Sequence, residues 1–351
     1  MRRLLPFVAA AAVLAALAPV ARADPARVGY PTAIAGIGDS ITKAYNTGLR
    51  PYADDPSYSW STGTRGSIAS AYSRILAANP AIRDRRLNAA KDGARMRDFP
   101  AQAAAVVAAR ADYVTVMLGS NDVCRPSESS MTSVTTFRTQ LDAGLRALSV
   151  GLPDARIQLV SVPDAYRLWQ LYRSSFVART VWSAARICQS LLASPGSSST
   201  VNAERRRRVR ERNGAFNREL AAACALYIHC RYDGDAVFAT AFTKGDVTRR
   251  DYFHPSRSGQ AKLAKVVWSR TFDFTDTVAP LSFASVSVSS DGLVVELSAF
   301  DDVGVAGVEY RIDEGPYVRY TEALVLQTGQ RLVYRAVDVN GNIEATHELI
   351  G

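Results

Sequence analysis

Up to about residue 275, short apolar runs alternate with longer stretches of helical spacing or helical composition. Thr32 to Ile37 reads as a buried strand that runs into a Gly38-Asp39-Ser40 turn. Helix is predicted from about Gly66 to Ala78, where Asn79-Pro80 stops it. Arg86 to Ala89 follows as a strand leading into the Asp92-Gly93 turn, and the alanine-rich stretch Ala101 to Ala109 favours helix. Asp112 to Leu118 is the clearest strand pattern. Helical spacing resumes from Thr132 to Leu148, and Arg156 to Val162 is another apolar strand ended by Pro163. Beyond the Ser/Gly-rich break Ser194 to Thr200, Asn202 is expected to cap a helix reaching about Ala223. Tyr227 to Tyr232 and Ser258 to Arg270 are the last strand and helix of this region.

Strands alternating with helices imply right-handed crossovers and a parallel sheet covered on both faces, an α/β fold. Ligands of such sheets bind beyond the carboxyl ends of the strands. After Asp276-Thr277-Val278-Ala279-Pro280 the period changes. Ser285 to Ser298, Val305 to Ile312, Ala323 to Leu326 and Leu332 to Val337 read as strands separated by turns, predicting a small antiparallel sandwich.

A length of 351 residues suits two domains, and 48% hydrophobic residues exclude a globally disordered chain. Charge supports a break at the same place. From residue 276 onward there are four Arg and twelve Asp or Glu, a net of −8, whereas the whole chain carries +9. With Arg2, Arg3 and Arg22 set aside, residues 24–275 hold +14. A basic body of this kind favours anionic surfaces or substrates. Residues 1–23 read as a secretory signal peptide: Arg2 and Arg3, an apolar run from Leu4 to Val20, and Ala21-Arg22-Ala23 as the cleavage signal. The expected mature protein starts at Asp24 and is extracellular. The predicted domains are therefore residues 24–275 and 276–351.

Export makes disulfides available to Cys124, Cys188, Cys224 and Cys230. Three pairings exist; we favour Cys224–Cys230, closing a short loop, and Cys124–Cys188, bracing two loops. The absence of C-x-x-C argues against a redox or zinc site.

Ser40 follows the first strand, Gly93 the second and Asn121 the third, within Gly38-Asp39-Ser40-Ile41, Asp92-Gly93 and Gly119-Ser120-Asn121-Asp122. Serine attack needs a base, an orienter for that base and donors for the developing oxyanion. Of the three histidines only His254, in Asp251-Tyr252-Phe253-His254-Pro255, has a carboxylate at useful spacing. Ser40 is the expected nucleophile, His254 the base and Asp251 its orienter. Ser40, Gly93 and Asn121 are the expected oxyanion donors. Other chemistries lack their parts. There is no G-x-S-x-G, no P-loop and no H-E-x-x-H, and Gly36-Ile37-Gly38 is followed by Ile41 where a dinucleotide loop needs glycine. No cofactor and no metal are expected.

These blocks resemble those of the SGNH (GDSL-type) hydrolases, named for their catalytic Ser, Gly, Asn and His. Ser59-Trp60-Ser61-Thr62-Gly63, Asn121-Asp122-Val123-Cys124 and Phe253-His254-Pro255-Ser256 are similar to secreted actinobacterial lipase and phospholipase-like members. The resemblance spans about residues 30–272. It implies a three-layer α/β/α, flavodoxin-like fold with about five parallel strands, and the site roles given above. Ile41 stands where the family usually has Leu, a volume-conserving change. More loosely, Tyr334-Arg335-Ala336-Val337-Asp338 and Gly341-Asn342 resemble bacterial Ig-like modules.

The expected function is a secreted, monomeric carboxylic-ester hydrolase acting on lipid esters through an acyl-serine intermediate. A carbohydrate acetyl esterase, with polysaccharide bound by the sandwich, is the alternative. A binding or adhesion protein on a hydrolase scaffold is the reading from another class. The run Arg205-Arg206-Arg207-Arg208, with Arg210 and Arg212, reads as a solvated helix face, with an anionic membrane surface second; nucleic acid is not an expected partner. Asp301, Asp302 and Asp338 read as turn residues rather than a calcium site.

Overall fold

The computed structural model describes residues 27–351, so the expected signal peptide lies outside the described residues. Five strands form a parallel sheet: β1 (Ile34–Gly38), β2 (Arg86–Asn88), β3 (Tyr113–Met117), β4 (Arg156–Leu159) and β5 (Cys230–Tyr232), in the order β2-β1-β3-β4-β5. The helices connecting them are α1 (Ala71–Ala78), α2 (Phe99–Ala108), α3 (Ser120–Val123), α4 (Val134–Gly151), α5 (Ala165–Tyr172), α6 (Phe176–Ala184), α7 (Gln189–Leu192), α8 (Thr200–Cys224), α9 (Ala236–Ala239) and α10 (Arg257–Trp268).

Strand periodicity sorts the side chains into two cores. Ala35, Ile37, Val114, Val116, Ile157 and Leu159 face one layer, packing with Phe99 and Val106 of α2, Leu141 and Leu145 of α4, and Phe216 and Leu220 of α8. Phe137 and Phe216 stack there at 3.9 Å between ring centres. The alternate residues face the other layer: Ile34 and Tyr113 pack with Ile75 of α1, and Met117 with Leu263 and Val267 of α10. Helices therefore cover both faces of the sheet, giving the three-layer α/β/α fold.

Several expected boundaries move. Residues 66–69 are not helical, because the Ser70 side chain caps α1 by accepting from the Ser73 N–H. Ser199 rather than Asn202 caps α8; its hydroxyl accepts the Asn202 N–H at 3.4 Å. The arginine run of α8 is only in part a solvated face: Arg207, Arg208 and Arg210 are exposed, whereas Arg205 and Arg212 are half-buried and Arg206 is buried. Arg206 is 1% exposed, donates to the Ser194 and Ser197 carbonyls and lies over the Trp169 ring. Arg205 serves the Ala193 carbonyl, Arg208 pairs with Glu128, Arg210 with Asp164, and Arg212 donates to the Thr132 carbonyl. These arginines fasten the segments on either side of the helix.

Beyond the parallel sheet, two antiparallel sheets face each other around Val295, Leu297, Val308, Leu326, Leu332 and Ala336. Their strands are β6 (Leu281–Ser289), β7 (Gly292–Phe300), β8 (Val305–Ile312), β9 (Val318–Arg319), β10 (Leu324–Leu326), β11 (Arg331–Asp338) and β12 (His347–Ile350). The orders are β10-β7-β6 and β12-β11-β8-β9. The single strand expected over 285–298 is a hairpin, split by a turn at Ser290-Asp291. The carboxylates of Asp301 and Asp338 accept N–H groups of their own turns.

The junction between the two parts is polar. Arg335 of β11 donates to Asp154 at 2.7 Å and to buried Glu309 at 2.6 Å, while His229 approaches Glu309 from the parallel-sheet side. Arg156, at the start of β4, reaches the Asn342 side chain. Because Asp154, Arg156 and His229 sit at the amino ends of β4 and β5, the all-β module is fastened to the edge opposite the carboxyl ends of the strands.

Candidate active site

The chain leaves β1 toward β2 on one side and reaches β3 on the other. A crevice therefore opens between the carboxyl ends of β1 and β3, where open α/β sheets bind ligands. Ser40 emerges from β1 and Asn121 from β3. Gly119 makes the second exit feasible: its φ of 131° is strained for any side chain, and an added Cβ would lie 2.5 Å from Val162.

The loop after Gly38 is held from below. Gln102 of α2 both donates to and accepts from the Gly38 backbone at 2.9 Å. Gln260 of α10 donates to the Ile41 carbonyl and accepts the Trp60 N–H, and the Trp60 indole reaches Thr42. Asp122, beside Asn121, is buried and accepts from the Met96 N–H and the Thr132 hydroxyl, bracing the segment that follows Gly93.

His254 arrives on the loop before α10. Its Nε2 lies 2.9 Å from Ser40 Oγ, and its Nδ1 lies 2.9 Å from the Asp251 carboxylate. The same Asp251 accepts the backbone N–H groups of Phe253 and His254. Asn46 donates its side-chain amide to Asp251 Oδ2, the same oxygen that His254 Nδ1 meets, while Oδ1 takes the two backbone N–H groups. Burial alone raises the Asp251 carboxyl, but the bonds from His254 and Asn46 outweigh it and hold the group below the usual carboxylate range. Trp182 of α6 donates to the Tyr252 carbonyl, and the Arg250 guanidinium donates to the carbonyls of Asn46, Leu49 and Arg50, tying this loop to its neighbours.

Ser40, Gly93, Asn121, Asp251 and His254 thus line one cleft, so every residue expected at the site from the sequence meets there. Among the described residues, neither the Ser40 nor the Gly93 backbone N–H has a hydrogen-bond partner; Gly93 adopts a φ of 70°. The Asn121 amide donates to the Ala94 carbonyl at 3.1 Å and lies 3.4 Å from Asp39. Asp39 is fully enclosed, and burial raises its carboxyl to about 7 despite the bond it accepts from the Ile41 N–H. Asp92 borders the cleft and is raised to about 6, by burial first and then by the neighbouring Asp54 carboxyl. An apolar pocket opens beside Ser40, lined by Val123, Leu168, Leu171, Phe253 and Leu263 among others. The disulfide Cys124–Cys188 borders the cleft, and Cys224–Cys230 joins the end of α8 to β5. No group of three or more His, Cys, Asp or Glu among the described residues is placed to hold a metal ion.

Asn46, Gln102, Gln260 and Asp122 were not singled out from the sequence. Asp122 lies inside the Gly119-Ser120-Asn121-Asp122 block but received no role of its own. Asn46, Gln102 and Gln260 occur in no short motif, and only their burial and their bonds to distant segments mark them.

Residues 34–267 match the family described as GDSL-like Lipase/Acylhydrolase. The chain belongs to that family, and it is a carboxylic-ester hydrolase. No curated protein matches the chain. Among solved structures, it is similar to an alpha/beta hydrolase enzyme from the metagenome of Lake Arreo, Spain, with 16% identity over 68% of this chain and 93% of that one, at a TM-score of 0.41. A phospholipase A1 from Streptomyces albidoflavus NA297 shares 15% identity over 68% of this chain and 99% of its own, at 0.39. A two-domain esterase active on acetylated mannans shares 13% over 86% and 67%, at 0.35.

Proposed function

We propose that the protein is a secreted lipid-ester hydrolase that works through an acyl-Ser40 intermediate. The carrying observation is the bonded series Ser40–His254–Asp251, with 2.9 Å at each step. His254 Nε2 takes the Ser40 proton as Oγ attacks the ester carbonyl, and Asp251 stabilises the imidazolium and fixes its tautomer. The partnerless Ser40 and Gly93 N–H groups and the Asn121 amide receive the developing oxyanion. His254 then returns the proton to the leaving alkoxide, and water, deprotonated by the same ring, releases the acid and regenerates Ser40.

The apolar pocket beside Ser40 supports an acyl chain on that side, and the more polar cleft carrying Asp92 and Tyr45 supports the leaving alcohol. Both disulfides suit an oxidising compartment and accord with the export signal read at residues 1–23. The test is hydrolysis of a p-nitrophenyl ester by wild type and by Ser40→Ala, alongside release of fatty acid from phospholipid vesicles and of acetate from acetylated xylan. Ser40→Ala should abolish turnover, and Asn121→Ala should lower kcat roughly 10²–10³-fold. Wild-type rates in Ser40→Ala would overturn the nucleophile, and acetate release without fatty-acid release would overturn the lipid reading.

A further inference from the structure

Large apolar side chains stand exposed on both sides of the cleft that holds Ser40. On one side, Leu49 is 81% and Tyr52 67% exposed; on the other, Phe176 and Val177 at the start of α6 are 74% and 54% exposed. Val177 stands one helical turn before Val181, which lines the cleft, whereas Phe176 beside it borders a neighbouring groove with Arg179 and Pro195. Tyr52 lines the cleft together with Val181 of α6 and His254, and Arg250 bonds the Leu49 and Arg50 carbonyls beside it. An adjoining groove, sharing Asn46 and Arg250 with the cleft, lies between residues 46–48, Tyr172 and Ser175, and residues 244–250.

Cations are interleaved with these side chains. Arg50, Arg173, Arg186, Lys244 and Arg249 are exposed around the mouth, and none is within ion-pair distance of a carboxylate among the described residues. The arginines of α8 behave in the opposite way, being spent on carbonyls and carboxylates of the same chain. The acids of this region are Asp54, Asp55, Asp92, Asp246 and Asp251. Asp92 and Asp251 line the cleft, Asp246 and Asp251 are buried against Lys262 and His254, and Asp54 is exposed.

Exposed Leu, Tyr, Phe and Val set among unpaired Arg and Lys is the composition of a surface that sits in the headgroup layer of a bilayer. We propose that this rim, formed by residues 49–52, the start of α6 and Lys244–Arg249, docks the protein on a lipid surface bearing anionic headgroups, with the Ser40 cleft facing that surface. The apolar side chains enter the acyl boundary and the cations pair with lipid phosphates. An ester can then pass from the bilayer into the cleft without crossing bulk water. The inference rests on the lipid reading for its biological use, but it concerns residues outside the reacting group.

Co-sedimentation with phosphatidylglycerol vesicles and with phosphatidylcholine vesicles tests it, using the full chain and the variant Leu49→Ser/Phe176→Ser/Val177→Ser. Wild type should partition onto phosphatidylglycerol, more weakly as salt rises, and far less onto phosphatidylcholine. The triple variant should lose roughly 10³-fold in partition coefficient, because each of the three apolar side chains contributes about tenfold. Its hydrolysis of a soluble p-nitrophenyl ester should stay at the wild-type level, showing that it folds. Arg173→Glu/Arg249→Glu should lose binding to phosphatidylglycerol specifically. Ser40→Ala should bind as wild type does, so failure of the docking and failure of the catalytic reading are read separately. Unchanged vesicle binding by the triple variant, equal binding to the two lipids, or no binding by wild type would overturn the proposal.

Discussion

Asn46 and Asp251 lie 205 positions apart in the chain, and the amide of the first donates to the carboxylate that orients His254. Asn46 occupies the left-handed region, at a φ of 59°, and its side-chain oxygen accepts the Tyr52 N–H. One residue therefore shapes the loop carrying Tyr52 and sets the carboxylate behind the imidazole. A hydrogen bond to a charged group is worth about 1.5–3 kcal/mol. Asn46→Ala should lower kcat roughly ten- to hundredfold while KM for a small soluble ester changes little. Steady-state kinetics with p-nitrophenyl acetate check this, and an unchanged kcat would remove Asn46 from the positioning of Asp251.

Asp39 makes stability pH-dependent in an unusual direction. Its carboxyl ordinarily titrates at 3.8 and is held at about 7 in the fold by burial. The native state keeps a proton that the unfolded chain releases. Its contribution is therefore complete below 3.8 and declines as pH rises toward about 7. Asp39→Asn should lose this decline: relative to wild type it should gain stability between pH 5 and pH 8. Urea unfolding at the two pH values measures the difference, and parallel behaviour of the two proteins would contradict the assignment.

The Cys124–Cys188 bond spans 64 residues and borders both the cleft and the apolar pocket. Chain-entropy reasoning gives about 4 kcal/mol for a loop of this length. Cys124→Ser/Cys188→Ser should show that order of loss in denaturant unfolding. Activity should fall in step, because Cys124 closely follows Asn121. A stability loss below about 1 kcal/mol would mean that the bond adds little.

Arg335 is the counter-charge for buried Glu309 and also reaches Asp154 across the junction. Removing one partner of a buried pair costs about 3–5 kcal/mol, because the remaining charge stays desolvated. Arg335→Ala should destabilise the all-β module by that order. Arg335→Ala/Glu309→Gln should recover most of the loss. Thermal unfolding of the single and double variants distinguishes this from a simple loss of packing, which the second substitution would not restore.

The reactive parts were legible in the sequence because acyl transfer restricts residue types tightly and strand–turn boundaries mark where they must lie. Ser40 and Asn121 each sit in a short motif at such a boundary, and His254 in one on the loop before α10. Their support was not legible. Gln102 and Gln260 act by bonds to backbone groups distant in sequence, and Asn46 by a bond to the distant Asp251 carboxylate, which no local pattern encodes. The arginine run misled in part: Arg207 and Arg208 are exposed as read, yet carbonyls of the segment before α8 bury Arg206 and half-bury Arg205. In the all-β module the Asp291-Gly292 pair marks a hairpin, but unbroken strand-forming residues on both sides hid the split between β6 and β7.

The placement of the junction gives the molecule two independent working ends. Asp154, Arg156 and His229 moor the all-β module at one pole, and the reacting serine opens at the other. Whatever grips the module leaves the entrance clear, so tethering and turnover do not compete for the same space.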